Sequence, residues 1–427
     1  MTNPIPPAAE IIRMQTLIRI KGLVDVDRQV VVDNAYVLAE GTRIVSWGRL
    51  SEMPPVDPQA TALDFTGQYL LPGLINCHVH LCLPSDGTPF HHRQSNEMAL
   101  LTAVRNIKTE LESGVTTLRD CGDQNGVLFS LRQAIEAGIL SGPRLLLCGP
   151  PLTGTGGHAH FLGGEADSRE DLRTAVQKRI DSGADFVKLI ATGGSTPGTT
   201  PALASYSVPQ LSAAVDAAHR SGRSVAAHCR GIPGIRNALA AGVDHIEHAC
   251  FEQPDGTLKY DPTLAEQMSR AGTFVTPTIQ LYRDALKFLT RKQAAAELSV
   301  QEAKLLKQLP VVITEKFLTL RNFLSLGVKC VAGNDAGLPQ TGFGLLWREL
   351  DAMVAGGMTP FQAIAAATRD AALAAGLSET IGSIQIGKQA DLIVVESDPT
   401  QNIHSLAEVS LVMQAGLIVK NREGRAI

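Results

Sequence analysis

The stretch that most constrains this chain is Leu71-Pro72-Gly73-Leu74-Ile75-Asn76-Cys77-His78-Val79-His80-Leu81. An apolar run opened by Pro-Gly reads as a buried strand. Side chains two residues apart on a strand leave by the same face, so His78 and His80 project together near its C-terminal end. Such a pair forms one edge of a metal site if the rest of the chain brings further ligands to it. Taken alone, such a pair more often belongs to core or loop histidines than to a ligand pair.

Composition narrows the classes. The 427 residues are 44% hydrophobic and 19% charged, enough for more than one ordinary domain or for one large α/β barrel. A net charge of −4 with no basic cluster excludes the electrostatic footprint of a nucleic-acid or anionic-membrane binder. A small-molecule substrate is expected instead. The seven cysteines (Cys77, Cys82, Cys121, Cys148, Cys229, Cys250 and Cys330) include no Cys-x-x-Cys pair, and several sit in apolar runs. They read as reduced core residues. Residues 1–20 lack a basic start followed by an apolar signal core, and the longest uncharged run, 145–164, is broken by Gly, Pro and His. A cytoplasmic protein is expected.

Strand-like segments at 74–80, 115–120, 144–149, 186–191, 224–229, 245–250, 273–276 and 328–333 alternate with helical patterns such as 99–112, 169–182, 209–221 and 359–375. Regular β-α alternation predicts a parallel sheet, and eight units close into a (β/α)8 barrel with its active site at the C-terminal strand ends. Both termini carry short β-rich segments, at 16–20, 30–32, 35–38, 43–47, 62–65 and 67–71, then at 381–384, 390–395 and 409–413. The predicted organisation is a small composite β-sandwich domain from residues 1–72 and 376–427 flanking a barrel of residues 73–375.

The remaining ligand-type residues fall in or just after the predicted barrel strands: Lys188, His228, His248 and Asp335. Imidazole and carboxylate are ordinary zinc ligands, but a protonated lysine is not. Lys188, inside the apolar run Phe186-Val187-Lys188-Leu189-Ile190, must lose its proton or be modified. Reaction with carbon dioxide would make it a carbamate, a carboxylate analogue able to bridge two metals.

This set resembles the amidohydrolase superfamily, and more narrowly its imidazolonepropionase-like branch, which includes Xaa-Pro dipeptidases, N-acyl-amino-acid carboxypeptidases and ochratoxin-type amidohydrolases. The resemblance extends to Gly114-Val115-Thr116-Thr117-Leu118-Arg119-Asp120, Thr155-Gly156-Gly157-His158, Ala191-Thr192-Gly193-Gly194 and Gly387-Lys388-Gln389-Ala390-Asp391-Leu392. It implies two zinc ions per subunit, with His78, His80 and Asp335 on one, His228 and His248 on the other, and carbamylated Lys188 between them. It also implies hydrolysis of an amide, with Asp335 as proton acceptor and donor and His158 on the substrate carbonyl. Imidazolonepropionase itself resembles the pattern without the bridging lysine, so Lys188 points away from that activity. Gly122-Asp123, where the family often has Gly-Gly, and Arg230 after Cys229 are departures that bear on substrate choice.

Within His245-Ile246-Glu247-His248 the family motif places the ligand at His248, leaving His245 a supporting or structural residue. Glu247 reads as a core carboxylate with a hydrogen-bond partner, and Asp120 as a cap on the turn at a strand end. Tyr206 and Arg230 follow the fourth and fifth strands and are expected to grip a substrate carboxylate, although Arg230 could instead pair with a nearby acid. His91, His92 and Arg93 read as a solvated loop near the pocket. Residues 281–324, far longer than a usual connection, carry apolar spacing that predicts helices over the active site or at a subunit interface. A homo-oligomer is expected. The alternative activity is a urea, carbamate or cyclic-amide hydrolase acting on an uncharged substrate.

Overall fold

The computed structural model describes residues 15–85 and 94–421. His91, His92 and Arg93 lie outside the described residues. Eight parallel strands carry the centre of the fold: β5 (Leu74–Val79), β6 (Val115–Asp120), β7 (Arg144–Leu147), β8 (Phe186–Ile190), β9 (Ser224–Gly231), β10 (His245–Glu252), β11 (Phe274–Thr276) and β12 (Lys329–Cys330). They form a three-stranded sheet, β5-β6-β7, and a five-stranded sheet, β12-β11-β10-β9-β8. Hydrogen bonds cross both gaps between the sheets. Leu152 N donates to Lys188 O at 2.8 Å and Ile190 N to Leu152 O at 2.8 Å, while Cys77 N donates to Ala332 O at 2.9 Å and His80 N to Ala336 O at 2.8 Å.

Helices follow the strands: α1 (Asn96–Glu112), α2 (Val127–Glu136), α3 (Arg169–Asp181), α4 (Val208–Arg220), α5 (Ile232–Ala241), α6 (Pro262–Ala271), α7 (Gln280–Ala294), α8 (Val300–Leu326), α9 (Leu346–Ala355), α10 (Pro360–Ala366) and α11 (Arg369–Ala374). Several begin where the sequence supplies a side-chain acceptor. Ser168, for example, accepts from Asp171 N while the Asp171 carboxylate accepts from Ser168 N, which satisfies two amides that the first turn leaves open.

Residues 359–375, which the periodicity predicts as one helix, form two. Ala366 O accepts from Ala332 N and Ala367 O from Ile75 N. Those carbonyls serve the strand ends, so the helix is interrupted between α10 and α11. The 281–324 segment is helical as its spacing predicts, within α7 and α8, and α8 starts on a reciprocal Ser299–Glu302 cap.

The terminal strands β1 (Gln15–Asp25), β2 (Val30–Glu40), β3 (Arg43–Arg49), β4 (Thr61–Pro72), β13 (Leu392–Val395), β14 (Val409–Gln414) and β15 (Leu417–Asn421) form one seven-stranded sheet in the order β15-β14-β13-β4-β1-β2-β3. The expected two-layer sandwich is therefore a single sheet drawn from both termini. It curls back on itself: Ile44 N donates to Lys388 O and Ala390 N to Thr42 O, both at 2.9 Å. One core, including Ile18, Ile20, Val37, Leu63, Phe65, Leu392 and Met413, is thereby enclosed without a second sheet. Residues 381–384 form no strand, although Ile381 and Ile384 are buried. Arg144 on β7 ties this sheet to the centre, donating to Asp391 at 2.8 Å and to Thr117 at 2.9 Å.

No described helix is long and apolar enough to cross a membrane. All seven cysteines are buried free thiols.

Candidate metal centre

Even-numbered residues of β5 face inward, since Asn76 hydrogen-bonds Asn334 at 2.8 Å, whereas Ile75 and Cys77 pack outward against Ala371, Ala372 and Ala374 around α11. His78 and His80 thus share the inner face, and Asp335 meets both, its Oδ1 lying 3.4 Å from Nε2 of each. The three form a group whose ligand atoms lie within 4.8 Å of one another, the spacing of a candidate metal site. Gly333 permits the close approach, because a Cβ there would sit 2.8 Å from the backbone N and from the Cβ of His78. Asp335 N closes the contact by donating to His78 O at 2.9 Å.

The second cluster adjoins the first. The His248 ring lies 5.1 Å from that of His78 and 4.6 Å from that of His228, and His158 stands 4.5 Å from His228, all centroid to centroid. Each histidine has one ring nitrogen engaged by the protein: His78 Nδ1 by Glu247 at 2.8 Å, His80 Nδ1 by Gly122 O at 3.1 Å, His228 Nε2 by Gly193 O at 3.2 Å and His248 Nδ1 by Thr278 Oγ1 at 2.9 Å. Such contacts set the tautomer and orient the opposite nitrogen toward a ligand. Burial pushes His80 down to about 4 and His158 to about 3, and it lowers His228 and His248 well below the ordinary imidazole range. These four rings are neutral at pH 7, the form that binds a metal.

Lys188 on β8 is buried, lines the same cleft, and its Nζ has no hydrogen-bond partner among the described residues. Burying an ammonium without a hydrogen-bond partner is costly, which makes Lys188 a candidate residue of the metal site.

Glu247 is the residue that sequence reasoning undervalued. It accepts from both His78 and Arg119, and Arg119 Nε also donates to Cys77 O at 2.8 Å. Burial opposes its ionisation, but the Arg119 guanidinium and the contact with His78 outweigh burial and hold the carboxyl well below its usual range. Its place beside His248 in the sequence was the available signal. Adjacent residues on a regular strand point to opposite faces, yet Glu247 and His248 serve one cavity. The backbone explains this: His248 has φ of +72°, Ala249 +47° and Phe251 +55°, and the ladder with β9 slips between His248 and Glu252. Each non-glycine residue in that region costs roughly 1–2 kcal/mol, so the surroundings must hold the bulge.

The cleft is lined by His78, His80, Lys188, His228, His248, Asp335, His158 and Arg230, with apolar walls from Leu83, Phe161, Leu162, Leu281 and Leu338. His158 is seated by Thr196, whose Oγ1 accepts from Ala159 N at 3.1 Å and lies 2.8 Å from His158 Nδ1. With the hydroxyl donating to Nδ1, the imidazole proton lies on Nε2. Gly194 is required beside it, because a Cβ would fall 2.5 Å from the ring. Asp120 caps the strand-end turn, accepting from Leu81 N at 2.7 Å and Gly122 N at 3.0 Å, and so holds the carbonyl that orients His80. His245 is buried against Phe274.

One expectation about substrate contacts changes. Tyr206 does not line the cleft: its hydroxyl donates to Ala166 O at 2.8 Å and its ring is buried in the core. The tyrosine that lines the cleft is Tyr282 on α7, supplied by the long helical segment together with Leu281. Arg230 does line the cleft, and its guanidinium also pairs with Glu252 at 2.7 Å. Glu349 of α9 anchors the start of α7, accepting from Ile279 N at 2.9 Å and Gln280 N at 2.6 Å. Burial pushes its carboxyl up to about 7. A raised folded-state pKa gives a contribution to stability that is complete below the unfolded value and lost as pH rises through about 7. Glu349→Gln, which cannot ionise, is therefore expected to gain on wild type as pH rises from about 5 to 8, read as the difference in thermal midpoints. A difference that does not change with pH would contradict this.

Residues 69–419 match the amidohydrolase family model. The chain belongs to the amidohydrolase family. It is 26% identical to ochratoxinase of Aspergillus niger over 91% of this chain and 83% of that one. Among solved structures it resembles a Xaa-Pro dipeptidase with methionine bound in its active site, with a TM-score of 0.84, 29% identity, and coverage of 95% of this chain and 100% of that one. A prolidase complexed with N-methylphosphonate-L-proline gives a TM-score of 0.80 at 27% identity, covering 96% of this chain and 100% of that one. Membership of this family and its hydrolase relatives identify the chain as an enzyme of metal-dependent hydrolase type.

Proposed function

We propose that this chain is a binuclear zinc hydrolase on a closed (β/α)8 barrel, cleaving the amide bond of a carboxylated substrate such as an N-acyl-amino acid or an Xaa-Pro-type dipeptide. The observation that carries this reading is the buried Lys188 Nζ, which has no hydrogen-bond partner among the described residues and lines the same cleft as the His78–His80–Asp335 and His228–His248 groups. A carbamate on Lys188 would give each group an oxygen ligand and replace the lone buried amine with a coordinated anion. Bound zinc would supply polarisation of the amide carbonyl and an activated water.

The chain's own groups do the rest. Asp335 is placed to take the proton of the attacking water and return it to the leaving nitrogen. His158 donates from Nε2 to the carbonyl oxygen as charge grows there, a contribution of about 2.7–4 kcal/mol if it equals a lost oxyanion donor. Glu247 and Gly122 O hold the rings of His78 and His80 in register throughout. Metal analysis of zinc-loaded protein should give two ions per chain, and turnover should favour N-acyl-amino acids or Xaa-Pro dipeptides over uncharged anilides. One ion per chain would count against the bridging lysine.

Arg230 supplies the carboxylate preference in this reading. Glu252 pairs with one of its terminal nitrogens, and Nε has no hydrogen-bond partner among the described residues. The amino acid and L-proline groups named with the two solved relatives support a substrate ending in a carboxylate. Arg230→Met is expected to raise KM and lower kcat/KM on free-acid substrates by about 1.5–3 kcal/mol. Amidated substrates should lose a similar amount on wild type and little further on the variant, a contrast that separates recognition from any loss of stability when Glu252 is left alone. The Arg230–Glu252 pair is neutral overall and the walls are apolar, which favours a second reading, a urea, carbamate or cyclic-amide substrate without charge. Equal turnover of free-acid and amidated substrates by wild type would select it.

A further inference from the structure

The β10 bulge that turns His248 into the cleft is held from outside the central sheets. Lys316, on α8 and 68 residues further along the chain, is 3% exposed and donates from Nζ to His248 O at 2.5 Å. The same ammonium lies 3.9 Å from Cys250 Sγ and 5.8 Å from the centre of the Tyr282 ring. Among the described residues no carboxylate lies within ion-pair distance of it. A buried charge spent on one backbone carbonyl would be a poor device for stability, because an ammonium so buried needs strong partners. It is a good device for holding a strained peptide whose flanking residues, His248 and Ala249, have φ of +72° and +47°. The other side of the bulge is held by Lys259 N donating to Phe251 O at 3.0 Å.

We infer that Lys316 is a positioning residue for His248, and that the helical segment between β11 and β12 sets the geometry of one half of the metal centre as well as lending Tyr282 and Leu281 to its wall. The inference rests on the two-metal reading for its consequence, but the tether itself can be measured without metal. Outer-shell partners of metal ligands typically change affinity by about 10–100-fold when removed.

The test uses the full chain in metal-free and zinc-loaded forms, with Lys316→Met, which keeps the length and apolar stem, and Lys316→Arg, which restores a donor. In metal-free protein, hydrogen exchange over residues 245–252 should rise about tenfold or more in Lys316→Met and be unchanged over 74–80. Competition with a zinc chelator should then show one of two equivalents weakened by about 10–100-fold, the other unchanged, and partial recovery in Lys316→Arg. Exchange at 245–252 equal to wild type, or both equivalents weakened alike, would overturn the inference. If Lys316→Met is not recovered folded, Lys316→Gln, uncharged and shorter, is read in the same way. A wild-type protein that takes up only one zinc would overturn the two-metal reading, and the exchange result would still decide the tether.

Discussion

Replacing Lys188 by alanine should remove most of the activity and the second zinc ion while leaving the fold at least as stable as wild type. The three effects separate roles that otherwise look alike. A lysine kept for packing would lower stability when truncated, whereas an unpartnered buried amine is a cost whose removal helps or is neutral. A bridging ligand, in contrast, serves both halves of the site, so its loss should lower kcat/KM on the order of 10³-fold or more, about 4 kcal/mol. A short carboxylate such as acetate, added to Lys188→Ala with zinc, should restore part of the rate by entering the space that the side chain leaves. Zinc content by elemental analysis, a thermal melt of the metal-free protein and the rate with and without acetate give the answer. Full zinc content and full rate in the variant would sink the bridging assignment.

The second large effect is expected on stability. Glu247 joins Arg119 and His78 in a chain of side chains that are each no more than 3% exposed. Truncating it as Glu247→Ala leaves the Arg119 guanidinium buried without its counter-charge and His78 Nδ1 without its acceptor. Breaking such a pair from one side costs about 3–5 kcal/mol. Glu247→Gln keeps the volume and one acceptor, so its loss should be smaller, while zinc affinity still falls by about 10–100-fold because the amide holds His78 less firmly. A double variant, Arg119→Met with Glu247→Met, should recover much of the loss, since two apolar chains replace a pair instead of orphaning one member. Urea unfolding of the metal-free proteins measures all three. A change of less than about 1 kcal/mol for Glu247→Ala would mean that water or backbone rearranges to serve Arg119, and the chain would not be the support described.

These two residues differ in how they could be read in advance. Lys188 stood out because a long charged side chain inside Phe186-Val187-Lys188-Leu189-Ile190 conflicts with the apolar run around it, a local contradiction visible in five residues. Glu247 offered no comparable contradiction. Its partners are 128 and 169 residues away, and nothing near it in the chain says which cation or imidazole it meets. Tyr206 shows the opposite failure. Its place after a barrel strand suggested the cleft, but its hydroxyl bonds Ala166 O and its ring packs in the core, and Tyr282 of the later helical segment lines the wall.

What the sequence determined by itself was whatever depends on period and on neighbours along the chain. The eight inner strands, the inward pair His78 and His80, the helical character of the 281–324 segment and the contribution of both termini to a flanking sheet follow from alternation, helical spacing and turn chemistry within about a dozen residues. Only the tertiary structure decided that those terminal strands make one curled sheet, that 359–375 breaks so its carbonyls can serve Ile75 and Ala332, and that His248 turns inward through a left-handed bulge. Each of these depends on a backbone or side-chain group that finds its partner only after distant segments meet. A carbonyl's choice between its own helix and a passing strand, or a strained φ held by a remote lysine, is set by which groups share a buried space, and chain proximity carries no record of that.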